Sequence, residues 1–198
     1  RFGYLAGRLR EEPAVTSLAF LRDEIPPAMT RMAAAAAQAG DVGRVLVMDT
    51  PSAAILGTLE DTRVRAAGAA LLTNVGNAHT LAFRMEEGRV TGLFEHHTSR
   101  LTTGRLDDLL EELAEARIDN DVVYADHGHG ALLLGARPMR PALLSVTGPR
   151  RALLAGSRWR PYCAVPYGNM MVAGCWGLIR ALALKAPELA GILPATQA

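Results

Sequence analysis

The five histidines of the chain all lie between positions 79 and 129, in segments rich in Gly, Asn, Asp and Thr. The first segment covers residues 74–80 and continues through a predicted hairpin to residues 95–98, and the second covers residues 126–130. Imidazole and carboxylate side chains together suit zinc, iron or manganese, and glycine lets the backbone that carries them bend tightly. The pattern therefore indicates a functional site.

The second segment places Asp126, His127 and His129 directly after a predicted strand, which is typical of metal-dependent hydrolases. These three residues are the candidate metal ligands, with His129 also a candidate catalytic residue. Four residues of the first segment could complete the site: His79, Glu95, His96 and His97. Neighbouring residues of a strand face opposite ways, so only one of the pair 96 and 97 could join. Structural, hydrogen-bonded histidines are the alternative.

Residues 74–80 also form a candidate phosphate-binding loop between two predicted strands. Gly76 would let successive backbone N–H groups point into one concavity, which can hold phosphate oxygens without side-chain charge. Asn74, Asn77, His79 and Thr80 would add donors. The alternative is a plain β-turn, because Asn and Gly are common turn residues.

A second candidate anion site is the turn from a buried strand into a helix at Thr147, Gly148 and Pro149. A helix N-terminus carries partial positive charge, and Arg150 and Arg151 could bind phosphate in a bidentate manner. An ordinary strand-to-helix turn with solvated arginines is the alternative.

The elements that must position these residues follow an α/β order. Strands are predicted at residues 15–20, 44–48, 69–73, 80–85, 89–94, 122–125, 142–146 and 162–165, with a tight hairpin turn at 86–88. Helices are predicted from Pro26 to Gln38, after Asp49, and at residues 106–116, 149–154 and 168–184. The strand at 44–48 is apolar throughout, which is typical of a buried parallel strand. Together these elements predict a mixed β-sheet with flanking helices.

The composition excludes several classes of protein. The chain has 198 residues, 49% of them hydrophobic and 21% charged, with a net charge of +1 and scattered basic residues. This is typical of a globular protein and gives no nucleic-acid footprint. The longest apolar stretch, residues 170–184, is too short to span a bilayer, and no signal peptide is recognisable. We expect a cytoplasmic protein and leave a homo-oligomer open; the start at Arg1 suggests a fragment or a processed product.

The two cysteines, Cys163 and Cys175, are too few for a disulfide framework and lack a zinc-ligand spacing. We expect two buried thiols in a reducing environment.

Four motifs resemble, in the right order, those of the actin, Hsp70 and sugar kinase superfamily. They are Asp-Thr-Pro-Ser-Ala-Ala-Ile-Leu-Gly at 49–57, the loop at 74–80, Thr-Gly-Pro-Arg-Arg-Ala-Leu-Leu at 147–154 and Pro-Tyr-Gly-Asn-Met-Met-Val-Ala-Gly at 166–174. The resemblance implies ribonuclease H-like lobes, with residues 1–62 the remnant of a first lobe and 63–198 the second. It also implies binding of ATP with Mg²⁺.

The resemblance also suggests roles for single residues. Asn74, Gly76, Asn77, His79 and Thr80 would hold phosphate. Nearer the nucleoside would lie Thr147, Gly148 and Arg150, and Asp49 and Asp126 would orient a metal-bound water. The superfamily's first phosphate loop has no counterpart here, and Asn74 stands where an aspartate usually assists the Mg²⁺ ion. Since phosphoryl transfer depends on positioning and charge stabilisation, we expect poor catalysis by this chain alone.

Longer strings are similar to a microbial family whose members carry the name pyruvate formate-lyase activating enzyme. The strings are Asn-Val-Gly-Asn-Ala-His-Thr, Gly-Leu-Phe-Glu-His-His-Thr, Gly-His-Gly-Ala and Val-Thr-Gly-Pro-Arg-Arg. The name implies radical chemistry on an iron–sulfur cluster, which needs three closely spaced cysteines. We therefore expect the family name and not its chemistry. The leading hypothesis is a nucleotide- or phosphate-ligand-binding protein, with a metal-dependent hydrolase or a non-catalytic scaffold as alternatives.

Overall fold

The chain folds around a six-stranded mixed β-sheet with helices on both faces. The computed structural model describes residues 2–40, 43–192 and 194. Its helices are α1 (Phe2–Glu11), α2 (Thr30–Gln38), α3 (Thr50–Thr58), α4 (Thr62–Arg65), α5 (Thr103–Ala114), α6 (Asn120–Ala125) and α7 (Ala173–Lys185). Its strands are β1 (Ala19–Leu21), β2 (Leu46–Met48), β3 (Ala69–Val75), β4 (His79–Glu86), β5 (Arg89–His97), β6 (Gly128–Leu133), β7 (Leu143–Thr147) and β8 (Tyr162–Cys163).

The main sheet has the order β6-β5-β4-β3-β7-β8. β3, β4, β5 and β6 pair antiparallel in succession, while β7 runs parallel to β3 and β8 parallel to β7. The predicted hairpin between β4 and β5 is confirmed, with Glu87 and Gly88 in the left-handed region at its turn. The prediction of a mixed sheet with flanking helices is also confirmed.

Each face of the sheet buries its own apolar cluster, as expected from the alternation of side chains along a strand. On one face, Leu72, Phe83 and Leu93 pack with α1 and with Ile55 of α3. On the other face, Leu71 and Phe94 pack with the apolar side of α5. The carboxyl ends of β3 and β7 therefore lie beside α3 on the first face, which is where the candidate site is found.

The prediction of a buried parallel strand at residues 44–48 is wrong. β2 is half-buried and pairs antiparallel with β1, so these two strands form a small separate sheet. Most of the predicted strand at residues 15–20 is instead a 3₁₀ helix (Val15–Leu18), with only its end in β1. An apolar run of this length does not distinguish a central strand from one packed beneath a helix.

The region after α5 differs most from the prediction. Residues 122–125 belong to α6. Asp119 caps this helix, and its carboxylate accepts hydrogen bonds from the N–H groups of Asp121 and Val122. The strand lies further along, as β6. The predicted helix at 149–154 shortens to a 3₁₀ turn (Arg151–Leu154), and the closing helix begins at Ala173 rather than at residue 168.

Helices α3 and α7 pack backbone to backbone. A Cβ atom at Gly57 would lie 1.8 Å from the carbonyl oxygen of Ala173, and one at Gly177 would lie 1.9 Å from that of Ala53. Because each glycine lies against a backbone carbonyl of the other helix and has no side chain, the two helices can approach this closely. Residues 52–58 of α3, including the polar Ser52 and Thr58, are all buried because α3 is enclosed between α7 and the sheet.

The C-terminal part of the chain is tied to the body by two buried acids. Asp61 accepts hydrogen bonds from the Tyr162 hydroxyl (2.9 Å) and the Val165 N–H (2.8 Å). Glu60 accepts one from the Tyr167 hydroxyl (2.9 Å) and is paired with Arg180. Among the residues that the structure describes, no helix has the length and apolar character needed to cross a membrane.

Candidate functional site

A cleft of about 340 Å³ lies at the carboxyl ends of β3 and β7, beside the first turns of α3 and α7. Its polar lining comes from Thr50, Asn74, Thr147 and Arg151. The apolar lining includes Met48, Ala53, Ala54, Met170, Met171 and Leu178. Crevices at the carboxyl ends of parallel strands are frequent ligand sites, so the fold places this one where a ligand is expected.

Four segments that are distant in the sequence meet around this cleft. The segment at 49–57 contributes Thr50 and two alanines, the loop at 74–80 contributes Asn74, and the turn after β7 contributes Thr147, Gly148, Pro149 and Arg151. Gly174, close to the start of α7, completes the wall. Asn74 and Thr147 are directly paired between the parallel strands β3 and β7, which sets both at one edge of the cleft.

The turn between β3 and β4 does not have the geometry of an anion nest. The N–H of Gly76 donates to the carbonyl of His79 (3.0 Å), which closes the turn. Within residues 76–78, all of which the structure describes, no residue has a positive φ, whereas a nest alternates right- and left-handed conformations. Asn77 is exposed to solvent, and the Thr80 hydroxyl is buried against that of Thr98 at 3.0 Å. Of the predicted phosphate residues in this loop, Asn74 alone lines the cleft.

Two other predicted residues lie near the cleft without lining it. Arg150 is exposed and its backbone N–H donates to Val75, whereas its neighbour Arg151 lines the cleft and donates to the Gly148 carbonyl at 3.1 Å. Asp49 accepts a hydrogen bond from the N–H of Thr50 at the start of α3. It lines an adjoining cavity of about 490 Å³ between β2 and α2.

Three histidines converge at the end of the main sheet. The rings of His79, His97 and His129 lie 4.4–5.1 Å apart between centroids. One potential ligand atom from each lies within 4.8 Å of the other two, and all three side chains are half-buried. His79 and His97 face each other across the antiparallel strands β4 and β5. We call this group the histidine triad.

A β-bulge brings the third histidine into the triad. Glu95 pairs with Gly130 and His96 with Gly128, so His129 is an extra residue of β6. Bulges re-aim side chains in this way. A Cβ at Gly128 would lie 2.5 Å from Val123, and one at Gly130 would lie 2.6 Å from Asn120. The glycines on either side of His129 therefore allow α6 to pack closely against β6.

The other two histidines lie outside the triad. His96 is buried on the opposite face of β5, where its Nε2 lies 3.5 Å from an oxygen of Asp126 and its Nδ1 lies 3.2 Å from the carbonyl of His97. Asp126 also accepts a hydrogen bond from Arg105 of α5 (2.6 Å). His127 is exposed, with φ of 63°, just after α6. Among the described residues, the converging ligand atoms thus combine His129 with His79 and His97 and not with Asp126 and His127.

The ion pair with Arg105 explains the electrostatics of Asp126. The Arg105 hydrogen bond holds the pKa of this carboxyl below its ordinary value, and the charges of Arg105 and His96 act in the same direction. We expect Arg105→Met to raise the pKa of Asp126 towards the ordinary value, measured by NMR titration of the carboxyl carbon.

The sign of the accompanying stability effect follows from linkage. Because the pKa of Asp126 is lower in the folded state, the pair stabilises the protein above the ordinary carboxyl pKa and loses this effect as the pH falls through the folded value. The stability difference between wild type and Arg105→Met should therefore shrink in acid. An unchanged Asp126 pKa in the variant would contradict this account.

Comparison with known proteins identifies the family. The family described as "Putative pyruvate format-lyase activating enzyme (DUF1786)" matches residues 1–153. The chain belongs to this family. No curated protein and no solved structure matches the chain. The expectation of this family from the sequence strings is confirmed.

The residues present do not fit the iron–sulfur cluster that the family description implies. The 198 residues contain two cysteines, fewer than the three that such a cluster needs. Both are free, and they are exposed rather than buried as predicted. Cys175 lines the cleft beside α7, whereas Cys163 lines a different cavity beyond β7. These two cysteines therefore do not supply the ligands of such a cluster.

Sequence reasoning named Arg150 and Arg151 together as possible phosphate ligands without showing that Arg151 is the one that lines the cleft, and it missed the direct pairing of His79 with His97. Counting outwards from the turn at Glu87 and Gly88 sets position 79 opposite 96. The bulge between Arg84 and Met85, for which the sequence has no signal, moves the pairing by one residue to His97.

Proposed function

We propose that the chain binds a nucleotide or a related phosphorylated small molecule in the cleft at the ends of β3 and β7. The observation that carries the proposal is that all four motifs resembling those of the actin, Hsp70 and sugar kinase superfamily line this one cleft. Residues as far apart as Thr50 and Met171 meet there. Chance matches in a sequence would have no reason to meet in space.

The fold supports the same proposal. The antiparallel meander β3–β4–β5, followed by β7 and β8 running parallel to β3, supports assignment as a ribonuclease H-like lobe. β6 is then an addition at the outer edge. In this proposal residues 1–62 remain the remnant of a first lobe, although side chains from both sides of position 62 share one apolar cluster.

The lining of the cleft suits a ligand with an apolar ring and an anionic group. Met48, Met170 and Leu178 offer flexible apolar surface, which favours a planar base. Arg151, Asn74 and Thr147 offer donors in the same cleft, and the guanidinium group can hold phosphate oxygens in a bidentate manner. Neither Asp49 nor Asp126 lines the cleft, so their proposed role in orienting a metal-bound water depends on movement or on a further segment.

The test is thermal unfolding with and without ATP and Mg²⁺. A ligand that binds only the folded state increases the free energy of unfolding, by roughly 2.7 kcal/mol at a hundredfold excess over Kd, and so raises the melting temperature. We expect Gly174→Leu to abolish this shift, because the new side chain would fill the cleft. The fold should tolerate the change, since the nearest atom to a Cβ at Gly174 is the N of Ala54 at 4.0 Å.

A matched control is available in α5. Gly104 is, like Gly174, the second residue of its helix, and a Cβ there would have no atom within 4 Å. Gly104→Leu should keep the full ATP-dependent shift. The absence of a shift in the wild-type protein would overturn the proposal, as would equal shifts in both variants. Binding without ATP turnover would identify a binding module rather than an ATPase.

A further inference from the structure

We propose that His79, His97 and His129 form a binding site for a divalent transition metal of the zinc class. The site is distinct from the cleft, whose lining includes none of the three residues. The observation that carries the proposal is the convergence of three imidazoles from three different strands, with one ligand atom of each within 4.8 Å of the others. Ligands of a tetrahedral zinc ion lie about 3.3–3.4 Å apart, as follows from Zn–N bonds of about 2.0–2.1 Å. Small rotations of the rings would close the difference.

The backbone that carries the triad is held in place before any metal binds. The turn that precedes His79 is closed by the Gly76 N–H to His79 hydrogen bond (3.0 Å). The Thr98 N–H donates to the Ala78 carbonyl (2.9 Å), and the hydroxyls of Thr80 and Thr98 meet at 3.0 Å on the other face. These bonds fix β4 against the end of β5, so His79 and His97 stay opposite each other.

His129 is fixed by a different set of contacts. Its bulge is enclosed by α6, since the Asn120 side chain accepts a hydrogen bond from the Ala131 N–H (3.2 Å). On the opposite face, the Nδ1 of His96 lies 3.2 Å from the His97 carbonyl, which links the buried ring to the backbone of a triad member. Three preorganised ligands lower the ordering cost of binding, which favours affinity.

The donor set indicates the chemistry of the ion. Three neutral imidazoles favour Zn²⁺, Co²⁺, Ni²⁺ or Cu²⁺ over Mg²⁺ or Ca²⁺, which prefer oxygen ligands. A site with three protein ligands leaves a fourth position for water, as in catalytic rather than structural zinc sites. The half-buried side chains leave that position in reach of solvent.

The test uses protein without an affinity tag, stripped with chelator and titrated with Co²⁺ and then Zn²⁺ in the absence of nucleotide. We expect one ion per chain, with visible absorption bands of Co²⁺ that Zn²⁺ removes. His79→Asn, His97→Asn and His129→Asn should each weaken binding about tenfold or more. His127→Asn is the matched control, because His127 is exposed and outside the triad, and it should bind as wild type does.

A second measurement requires no variant. In long-range ¹H–¹⁵N spectra of the wild-type protein, Zn²⁺ should shift the imidazole nitrogens of the three triad residues and leave those of His127 in place. Binding of less than one ion per chain would overturn the proposal, and so would shifts at His127 equal to those of the triad. Gly174→Leu should bind Zn²⁺ as the wild-type protein does, so the proposals of a metal site and of a nucleotide cleft are tested independently of each other.

Discussion

Gly57→Ala and Gly177→Ala are each expected to destabilise the protein severely, although glycine to alanine in a helix is normally favourable. The added methyl group would lie 1.8 Å from the Ala173 carbonyl oxygen in the first variant and 1.9 Å from the Ala53 carbonyl oxygen in the second. Both obstacles are backbone atoms, which a side-chain rotation does not move. The helices would have to separate, and α3 would lose its close contact with α7.

The expected loss is about 3 kcal/mol or more, at the upper end of the range for overpacked cores. For a domain of this size, that corresponds to a fall in melting temperature of roughly 6–12 °C. Urea unfolding followed by circular dichroism measures both variants against wild type.

Gly7→Ala provides the matched control, with the opposite sign. Gly7 lies within α1, and a Cβ there would have no atom within 4 Å. The usual helix propensity then applies, and stability should rise by up to about 1 kcal/mol. If Gly57→Ala and Gly177→Ala behaved like Gly7→Ala, the close packing of α3 on α7 would be wrong.

Asp61→Ala is the second variant with a large expected effect. One carboxylate oxygen accepts hydrogen bonds from the N–H groups of Arg63 and Val64 at the start of α4, and the other accepts from Tyr162 and Val165. The variant would leave the Val165 N–H and the Tyr162 hydroxyl without their acceptor. A hydrogen bond to a charged group contributes about 1.5–3 kcal/mol. Loss of the helix cap costs about 1 kcal/mol more.

Asp119→Ala separates the two contributions. Asp119 caps α6 through the N–H groups of Asp121 and Val122, yet it is exposed. Its loss should cost only the cap, about 1 kcal/mol. Chemical denaturation measures the free energy of unfolding of both variants. We expect Asp61→Ala to be less stable than Asp119→Ala by about 2 kcal/mol or more. Equal losses would mean that Asp61 does not attach the C-terminal segment.

The parts of the fold predicted correctly from sequence are those determined by local signals. The β4–β5 hairpin consists of two short runs of strand-forming residues around a Glu-Gly turn at Glu87 and Gly88, and the predicted strands lie within a few residues of the observed ends. α5 has a clear apolar stripe that includes Leu106 and Leu110. Such patterns arise within the segment itself, so a single sequence contains them.

The predicted secondary structure is wrong where contacts with distant parts of the chain determine it. Val122 and Val123 favour a strand by propensity, but the cap at Asp119 and the packing of Val123 against the sheet make this segment a helix. β6 contains Gly128 and Gly130, which weaken a strand pattern, and it exists because it pairs with β5. Partners distant in the sequence leave no local signal.

The candidate site shows the same division. The clustering of histidines predicted a site at Asp126, His127 and His129 that His79, Glu95 and one of His96 and His97 could complete. Of these residues, His79, His97 and His129 bring their ligand atoms together. The bulge in β6 determines the actual partners, and a bulge depends on the opposing strand. Likewise, the four cleft motifs were recognised one by one, whereas the cleft itself is a property of their packing.

The contact between Gly57 and Gly177 also has a mechanical consequence. Because no side chains separate the two backbones at this point, α3 and α7 cannot slide past each other without a backbone clash. The two cleft walls that these helices form therefore move together as one rigid unit. If the cleft opens to admit a ligand, the part that moves would be the short segment Met170–Val172 before α7, where the Met171 side chain is exposed to solvent.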